Sequence, residues 1–579
     1  MSRILFDIEA DGLLGTITKI HCIEAVDVDT KQWYSYGPNQ IQEALTLLFQ
    51  ADTLIGHNIQ GYDIPAIKKL FPLWQWGGQV RDTLVMSRLQ HVHDMMKHGL
   101  EAWGERLNFA KGDYGKEPDA WASWSQPMQD YCKQDVRLNL KIWELLDKEN
   151  FPDTSIDLEH QFAKVLDWQM KCGVPFKVDE AKELAQELHT TYDRMLGELK
   201  EGIPPFVKEV PFTPKVNRPT LGYIKGVPTV KRTETPFNPG SRTQVVKLLK
   251  EKYNWKPKEF TDIGNPKVSG DVLRSLEYPE AKPLADFYDV KKLMGQVSTG
   301  KAAWLTKVTS DGKIHGFINH NGAITGRCTH SSPNLGQVPS VGGFKGATCR
   351  SLFYAPAGYK MVGCDASGLE LRNLAHYMAL WDDGKYAKII LEGDIHTENQ
   401  NAAGLPTRDL AKRFIYAHNY GCGDKLLGDI VLPKASESKQ KAVGAEMRWK
   451  FTKRIPALGK LIDMVKSTAR SRGYLIGLDG RRLYVHSDHV ALNVLLQGAG
   501  AVLMKKWWVM VWEQVAREKL DAYPCLHVHD EGQAIVSEDH AERYAQITEE
   551  CMIATGEFYN YRIRLDGESK IGMNWKETH

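Results

Sequence analysis

The chain has little cysteine: nine residues in 579, an odd and scattered set with no C-x-x-C spacing. That excludes a disulfide framework and a cysteine zinc site, and it points to a reducing compartment. Long apolar runs are missing too. The most apolar stretch, Val490–Met504, is interrupted by Asn493 and Gln497 and followed by Lys505 and Lys506, so a buried helix is expected there rather than a membrane span. Neither G-x-x-x-x-G-K-[ST] nor H-E-x-x-H occurs, which removes the usual handles of a P-loop ATPase and a zinc protease. The opening MSRILFDIEADG carries an acid by its seventh residue, unlike a secretory signal.

A large net charge is also absent: 74 Lys+Arg against 72 Asp+Glu leave +2, which alone argues against a nucleic-acid partner. The distribution says more. Residues 1–150 hold 15 Lys+Arg and 21 Asp+Glu, whereas residues 200–259 hold 13 and 5, interleaved with Tyr223, Tyr253 and Trp255. A basic segment of this kind can neutralise several phosphates or lie as a solvated loop, and charge alone does not choose.

The length allows several domains and a large core. Strand-like runs (RILFDIEA, KIHCIEAVDV, DTLIGHN) alternate with helical stretches over residues 1–150, predicting an α/β domain. A long helical pattern from Asp157 to Leu199 breaks at KCGVPF. Glu201–Pro239 is rich in proline and glycine and is expected to be an irregular or inserted segment. Helical patterning returns over Ser241–Val308, short strands follow at KIHGFIN and KMVGCDA, and helices dominate from Leu369 to Gly473. No internal repeat or low-complexity tract appears.

In ILFDIEADG, Asp7 and Glu9 stand two apart on an expected strand, so both carboxylates share a face and repel unless a divalent cation meets them. HNIQGYDIP sets Asn58, Tyr62 and Asp63 at a helix start, and DYCKQDV places Tyr131 and Asp135 one helical turn apart. Each is ordinary alone. In this order they resemble the three exonuclease motifs of the DEDD proofreading family, in its tyrosine-bearing subclass. The resemblance implies that Asp7, Glu9, Asp63 and Asp135 hold two metal ions and that Tyr131 orients the attacking water or helps to deprotonate it.

MVGCDASGLELRNLAHYM ends an apolar strand in Asp365, which suits either a functional edge or a helix cap. LPTRDLAKRFIYAHNYGCG puts Arg408, Lys412, Tyr416 and Tyr420 at i+4 steps along one helix face. That face suits a nucleoside triphosphate, or is a solvated basic face with core aromatics. HVHDEGQAIV then sets Asp530 beside Glu531 between two apolar strands. Together the three resemble motifs A, B and C of family A (Pol I-type) DNA polymerases. HGLEAWGERL, DGKIHG, TGRCTH, PNLGQVP, GDIHTENQ and GLDGRRLYVHS are similar to the replicative polymerases of short-tailed, T-seven-type phages.

The resemblance implies an α/β multidomain chain: a ribonuclease H-like 3′–5′ exonuclease domain (1–150), then a right-hand polymerase. Its thumb would span 151–310 with the basic segment 201–239, its palm 311–375 and 485–579 around an antiparallel sheet, and its helical fingers 376–484. Asp365, Ala366 and Asp530 would bind metal, two Mg²⁺ per active site with Mn²⁺ as a substitute, and Glu531 would support them. Arg408, Lys412 and His396 would hold phosphates, Lys412 protonating pyrophosphate. Tyr416 would lie under the sugar near Tyr420, and Glu370 would block a 2′-hydroxyl. Arg327, Asn493, Gln497 and His529 match positions that contact DNA, although Asn493 and Gln497 also suit a pair of satisfied core amides.

The expected partners are primer–template DNA, dNTPs, a phage helicase–primase and a single-strand binding protein, in the cytoplasm of an infected bacterium and with no membrane. The segment Glu201–Pro236, which occupies the place of the basic thumb insertion of thioredoxin-using relatives, is much shorter than it, which speaks against dependence on thioredoxin. A degenerate-polymerase nuclease, a single-subunit RNA polymerase and a non-catalytic DNA scaffold are the competing readings. Intact Asp365, Lys412 and Asp530 disfavour the first, Glu370 and the exonuclease motifs the second, and two retained acid sets the third. A tyrosine at Tyr416 implies ready incorporation of dideoxynucleotides. Competition between ddNTPs and dNTPs in primer extension is expected to show weak discrimination that sharpens in Tyr416→Phe; strong discrimination in both proteins would refute the implication.

Overall fold

The structure, a computed structural model, describes residues 2–579 except 94–96, 113, 117–118, 262 and 434. The N-terminal part is built on five strands: β1 (Arg3–Ala10), β2 (Ile20–Asp27), β3 (Trp33–Tyr36), β4 (Thr53–Gly56) and β5 (Gln79–Asp82). Their order is β3-β2-β1-β4-β5, with β1 antiparallel to β2 and parallel to β4. Side chains alternate between the two faces of β1. Ile4, Phe6, Ile8 and Ala10 pack with Ala44, Leu45 and Leu48 of the helix Ile41–Gln50. Leu5 packs on the other face with Val136 and Leu138 of the long helix Gln126–Lys148. Asp7 and Glu9 share the face of Leu5, so β1 turns carboxylates toward that helix where apolar side chains would otherwise continue.

The C-terminal half is organised on a four-stranded antiparallel sheet. In spatial order its strands are Ala522–Val528, Glu531–Ser537, Tyr359–Ala366 and Gly567–Gly572. The helix Ala491–Glu518 covers one face, where Trp507 and Trp508 meet Val362, Cys364 and Ala534. The contact is close. A Cβ on Gly532 would come within 2.4 Å of the Trp508 ring, so glycine is required between Glu531 and Gln533. The span Asp488–Glu518 has the length and composition of a membrane helix, yet 83% of its most apolar window is buried inside the protein.

Helices fill residues 369–472, as the sequence predicts, and share one core that includes Phe414, Phe451 and Leu458. One of them, Leu369–Asp382, runs unbroken through the boundary placed at 375/376. Of the expectation that 201–239 is irregular or inserted, the irregular part fails over two strands. Phe206–Phe212 and Thr229–Thr235 pair as an antiparallel ribbon. β-branched Val207, Val210, Thr229, Val230 and Thr233 favour extended chain, while much of the glycine and proline falls in the connecting loop. The ribbon is rooted by Phe206 in a core with Phe237 and Leu249, and beyond that root its strands stand largely in solvent.

The two halves are joined around Glu159, a fully buried carboxylate on the helix Asp153–Cys172. Its oxygens meet Lys505 Nζ at 2.5 Å, Arg481 Nη1 at 2.8 Å and His320 Nδ1 at 2.6 Å. Burial pushes the Glu159 carboxyl up, but the Lys505 and Arg481 cations outweigh it and hold it well below the usual range. The same helix pairs Asp153 and Asp157 with Arg81 of β5, and His160 Nε2 takes the Asp82 backbone N–H at 2.7 Å. Removing one partner of such a cluster leaves bare buried charge. Glu159→Ala is expected to destabilise the protein by about 3–5 kcal/mol, read as a lowered urea midpoint; an unchanged midpoint would show the network to be dispensable.

Candidate functional site: two carboxylate clusters

The face of β1 and two helices gather the first cluster. Asp63 begins the helix Asp63–Leu70, is buried, and accepts the Ile8 backbone N–H at 3.2 Å. Tyr131 and Asp135 lie on Gln126–Lys148, with Asp135 buried and Tyr131 half-buried. Burial raises the Asp7 carboxyl well above its ordinary value, and Asp63, Glu9 and Asp135 add to the rise. Glu9 is pushed up to about 9 and Asp63 to about 7, each chiefly by burial; Asp135 is raised for the same reason. Burial also lifts Tyr131 to about 12, so the phenol is a hydrogen-bond donor rather than a base at neutral pH. Four acids that resist ionisation together form a donor set that a divalent cation fits.

Two residues of this cluster carried no sequence signal. Lys111 Nζ sits 3.1 Å from Asp135 Oδ2 and 5.4 Å from the Tyr131 ring centroid, supplying positive charge from a loop. Cys132 Sγ lies 3.8 Å from Asp7 Oδ2. Beside them a cleft of about 730 Å³ opens between Glu101, Asn108, Lys111 and Tyr131. Asn58 and Tyr62 lie on the turn before Asp63, where Tyr62 donates to the Gly12 carbonyl at 2.6 Å.

The second cluster lies where the two central strands of the C-terminal sheet meet a turn. Asp365 pairs in register with Glu531, while Asp530 belongs to the tight turn ahead of that strand. The Ala366 backbone N–H donates to the Asp530 carbonyl at 3.0 Å, tying turn to strand end. Asp365 is raised to about 7 by burial and then by Asp530 and Glu531. Glu531 behaves differently. Trp575 Nε1 and Gln533 Nε2 donate to it at 2.5 and 2.6 Å, and His579 Nδ1 and Arg350 Nη1 stand 3.1 and 3.7 Å away. Burial raises its carboxyl, but the His579 contact and these partners bring the net shift below the ordinary value.

Of the other residues singled out from the sequence, Arg327 and His529 line one pocket with Asp530. Arg408, Lys412 and Tyr416 lie on the helix Arg408–Asn419, with Tyr420 as its C-cap. Tyr420 donates to Glu370 at 2.5 Å, and Arg327 Nη2 is 3.9 Å from the same carboxylate. Burial raises Tyr416, and the charges of Glu370 and Asp530 raise it further. His396 is lowered by burial and by the charges of Arg408 and Lys412. Arg408 is held by both oxygens of Asp394 at 2.9 and 3.2 Å; Lys412 is exposed. Asn493 and Gln497 keep partial exposure while their neighbours on the helix are buried. His529 is exposed with a left-handed backbone (φ 57°).

Residues 227–577 match the model for "DNA polymerase family A". The chain is 34% identical to the DNA-directed DNA polymerase of Enterobacteria phage T3, and to that of Escherichia phage T7, each over all of both chains. The chain belongs to DNA polymerase family A. It is a DNA-directed DNA polymerase of the kind those phages carry. Its fold is similar to that of the POL domain of Pol1 from M. smegmatis, solved in complex with DNA primer-template and dNTP. The TM-score is 0.75 at 19% identity, covering 99% of this chain and 96% of that one.

Family A polymerases use divalent metal ions, and the raised acids of this polymerase are suited to receive them. A carboxyl whose folded pKa lies above its unfolded value of about 4 contributes stability that is full below that pH and lost as pH rises through the folded value. For Asp63 and Glu9 the loss runs from about 4 up to about 7 and 9. The metal-free polymerase is therefore expected to lose thermal stability between pH 5 and pH 9, less so in Asp7→Asn, with Mg²⁺ at pH 8 restoring the wild type more than the variant. Equal pH and metal responses in the two proteins would refute this.

Proposed function

We propose that the polymerase extends a DNA primer with dNTPs at Asp365 and Asp530 and removes mispaired 3′ ends by 3′–5′ hydrolysis at the first cluster. The observation that carries this is the pair of acid clusters, each at the edge of a central strand and each raised by burial and mutual repulsion. Asp7, Glu9, Asp63 and Asp135 would hold one pair of Mg²⁺ ions, and Asp365, Asp530 and the Ala366 backbone another, with Mn²⁺ able to substitute. Such ions supply activation of the attacking oxygen and neutralisation of the leaving one.

The chain's own residues do the rest. Asp365 and Asp530 orient the primer 3′-hydroxyl against the α-phosphorus, a P–O bond forms there, and the bond to pyrophosphate breaks. Lys412, Arg408 and His396 bind the leaving phosphates, and Lys412 gives the pyrophosphate its proton. Arg408 must leave Asp394 to do so. Tyr416 underlies the sugar, and Glu370, fixed by Tyr420, crowds any 2′-hydroxyl. Arg327, Asn493, Gln497 and His529 meet the primer–template. At the first cluster Tyr131 orients the attacking water.

In domain terms, residues 1–150 are a ribonuclease H-like exonuclease. Residues 151–310 are a thumb bearing the basic ribbon, 311–375 and 485–579 a palm, and 376–484 fingers. The setting is phage replication in the host cytoplasm, alongside a helicase–primase and a single-strand binding protein. Primer extension with dNTPs or rNTPs, run with Asp530→Ala and Asp7→Ala, tests the assignment. Asp530→Ala is expected to lose synthesis while still degrading, and Asp7→Ala to lose only degradation. Synthesis by Asp530→Ala, degradation by Asp7→Ala, or efficient rNTP use would overturn the corresponding part.

A further inference from the structure

Where the N-terminal part, the helix Asp153–Cys172 and the strand Phe317–Asn319 meet lies a pocket of about 200 Å³ lined by none of the acids of either cluster. One wall is the turn carrying Asn58 and Gln60, which goes on to deliver Asp63 to the first cluster. Another part of the lining is the strand Phe317–Asn319 with His320, whose following loop leads to Arg327 beside Glu370. The pocket thus touches a segment of each site.

Its chemistry is that of an anion site with a stacking face. Arg88 lines it, and its guanidinium makes no hydrogen bond or ion pair with the described residues. Burial lowers the Arg88 pKa, while Asp82, which is too far away to form an ion pair, raises it. The Asp82 carboxylate is already spent on the backbone N–H groups of Asn58, Gln60 and Leu84. The other acid of the rim, Asp167, pairs with Lys171 at 2.5 Å. A partly buried, planar fork of donors with no acceptor is matched to a phosphodiester. Phe317 is 45% exposed, a ring free to take a base on its face. His320 is buried with Nδ1 committed to Glu159, and its Nε2 lacks a partner. A neutral imidazole held this way presents an acceptor, which suits a sugar hydroxyl or a base amino group rather than a phosphate.

We propose that this pocket binds a single DNA strand in passage between the two clusters, with Arg88 gripping a backbone phosphate and Phe317 stacking a base. The inference rests on the first cluster being a degrading site, since a duplex end held only for synthesis has no reason to cross here. A released mononucleotide offers the same phosphate and base chemistry, so the test must separate the two.

Binding of a fluorescent oligothymidylate is measured in EDTA across a salt series for wild type, Arg88→Gln and Phe317→Ala, with duplex primer–template in parallel. Both variants are expected to bind the single strand about tenfold more weakly, while matched-primer extension is unchanged. Arg88→Gln should also flatten the slope of log K against log salt by about 0.7, and Phe317→Ala should not. On a mismatched primer, both should degrade less for each nucleotide extended. Unchanged single-strand affinity, an equal loss for duplex, or displacement of the strand by dTMP at comparable concentration would overturn the proposal. Wild-type hydrolysis of the free oligonucleotide with Mg²⁺ is scored separately: its absence would fail the reading of the first cluster, while the EDTA binding arm still decides the pocket.

Discussion

A carboxylate with no access to water must be compensated from within the protein, and Glu159 is compensated from three distant places in the chain. Lys505 comes from the helix under the C-terminal sheet, Arg481 from a short hairpin, and His320 from the end of the strand facing the N-terminal half. Asp479 fixes Arg481 from the other side at 2.7 Å, and Asn321 reaches the Arg88 backbone carbonyl at 2.6 Å. Shifting any one of these elements would leave a buried charge short of a partner, so their relative placement is set by electrostatics as much as by packing. The helix Asp153–Cys172 carries Glu159 and also meets β5 through Arg81 and His160. It therefore ties the N-terminal sheet to the C-terminal half through paired charges and a backbone hydrogen bond.

The same physics distinguishes acids that serve the fold from acids that serve chemistry. Asp365 and Glu531 are register partners on adjacent strands, and Glu531 is the more deeply buried, yet it is Asp365 whose pKa is raised and Glu531 whose pKa is lowered. Glu531 has Trp575, Gln533, Arg350 and His579 around it; Asp365 has chiefly the repulsion of its two acidic neighbours. Adjacency in HVHDEGQ is thus misleading about pairing. Asp530 belongs to Asp365 by the turn, and Glu531 belongs to the wall behind them. In the first cluster Lys111 relieves part of the same repulsion, but a single ammonium does not neutralise four carboxyls.

How much of this was legible in the sequence depends on the range of the interactions. Asp7 and Glu9 share a face because a strand has period two, and Tyr131 and Asp135 share one because a helix turns every 3.6 residues. Those placements, the strands RILFDIEA and KMVGCDA, and the buried Val490–Met504 helix needed only local rules. The ribbon of residues 206–235 was lost for a local reason too, because turn residues in its loop masked the β-branched strands on either side. Glu159, Lys111 and Arg88 gave no signal because their meaning lies in partners, or in a lack of partners, that only the folded chain defines. An acid in a helical pattern is normally a solvated one, and nothing near Glu159 in sequence announces that Lys505 will meet it.

Arg88 and Glu159 pose opposite versions of one problem. At Glu159 the protein supplies surplus cations to hold a buried anion; at Arg88, on the other side of Asn321, it leaves a partly enclosed cation short of an acceptor. An acidic side chain there would have satisfied the guanidinium, yet Asp82 is turned to cap its own helix and Asp167 to Lys171. Enclosing an unpaired guanidinium costs stability. That cost is offset only when a ligand brings the missing negative charge, and a phosphodiester crossing between two nucleic-acid sites brings one with every residue of the strand.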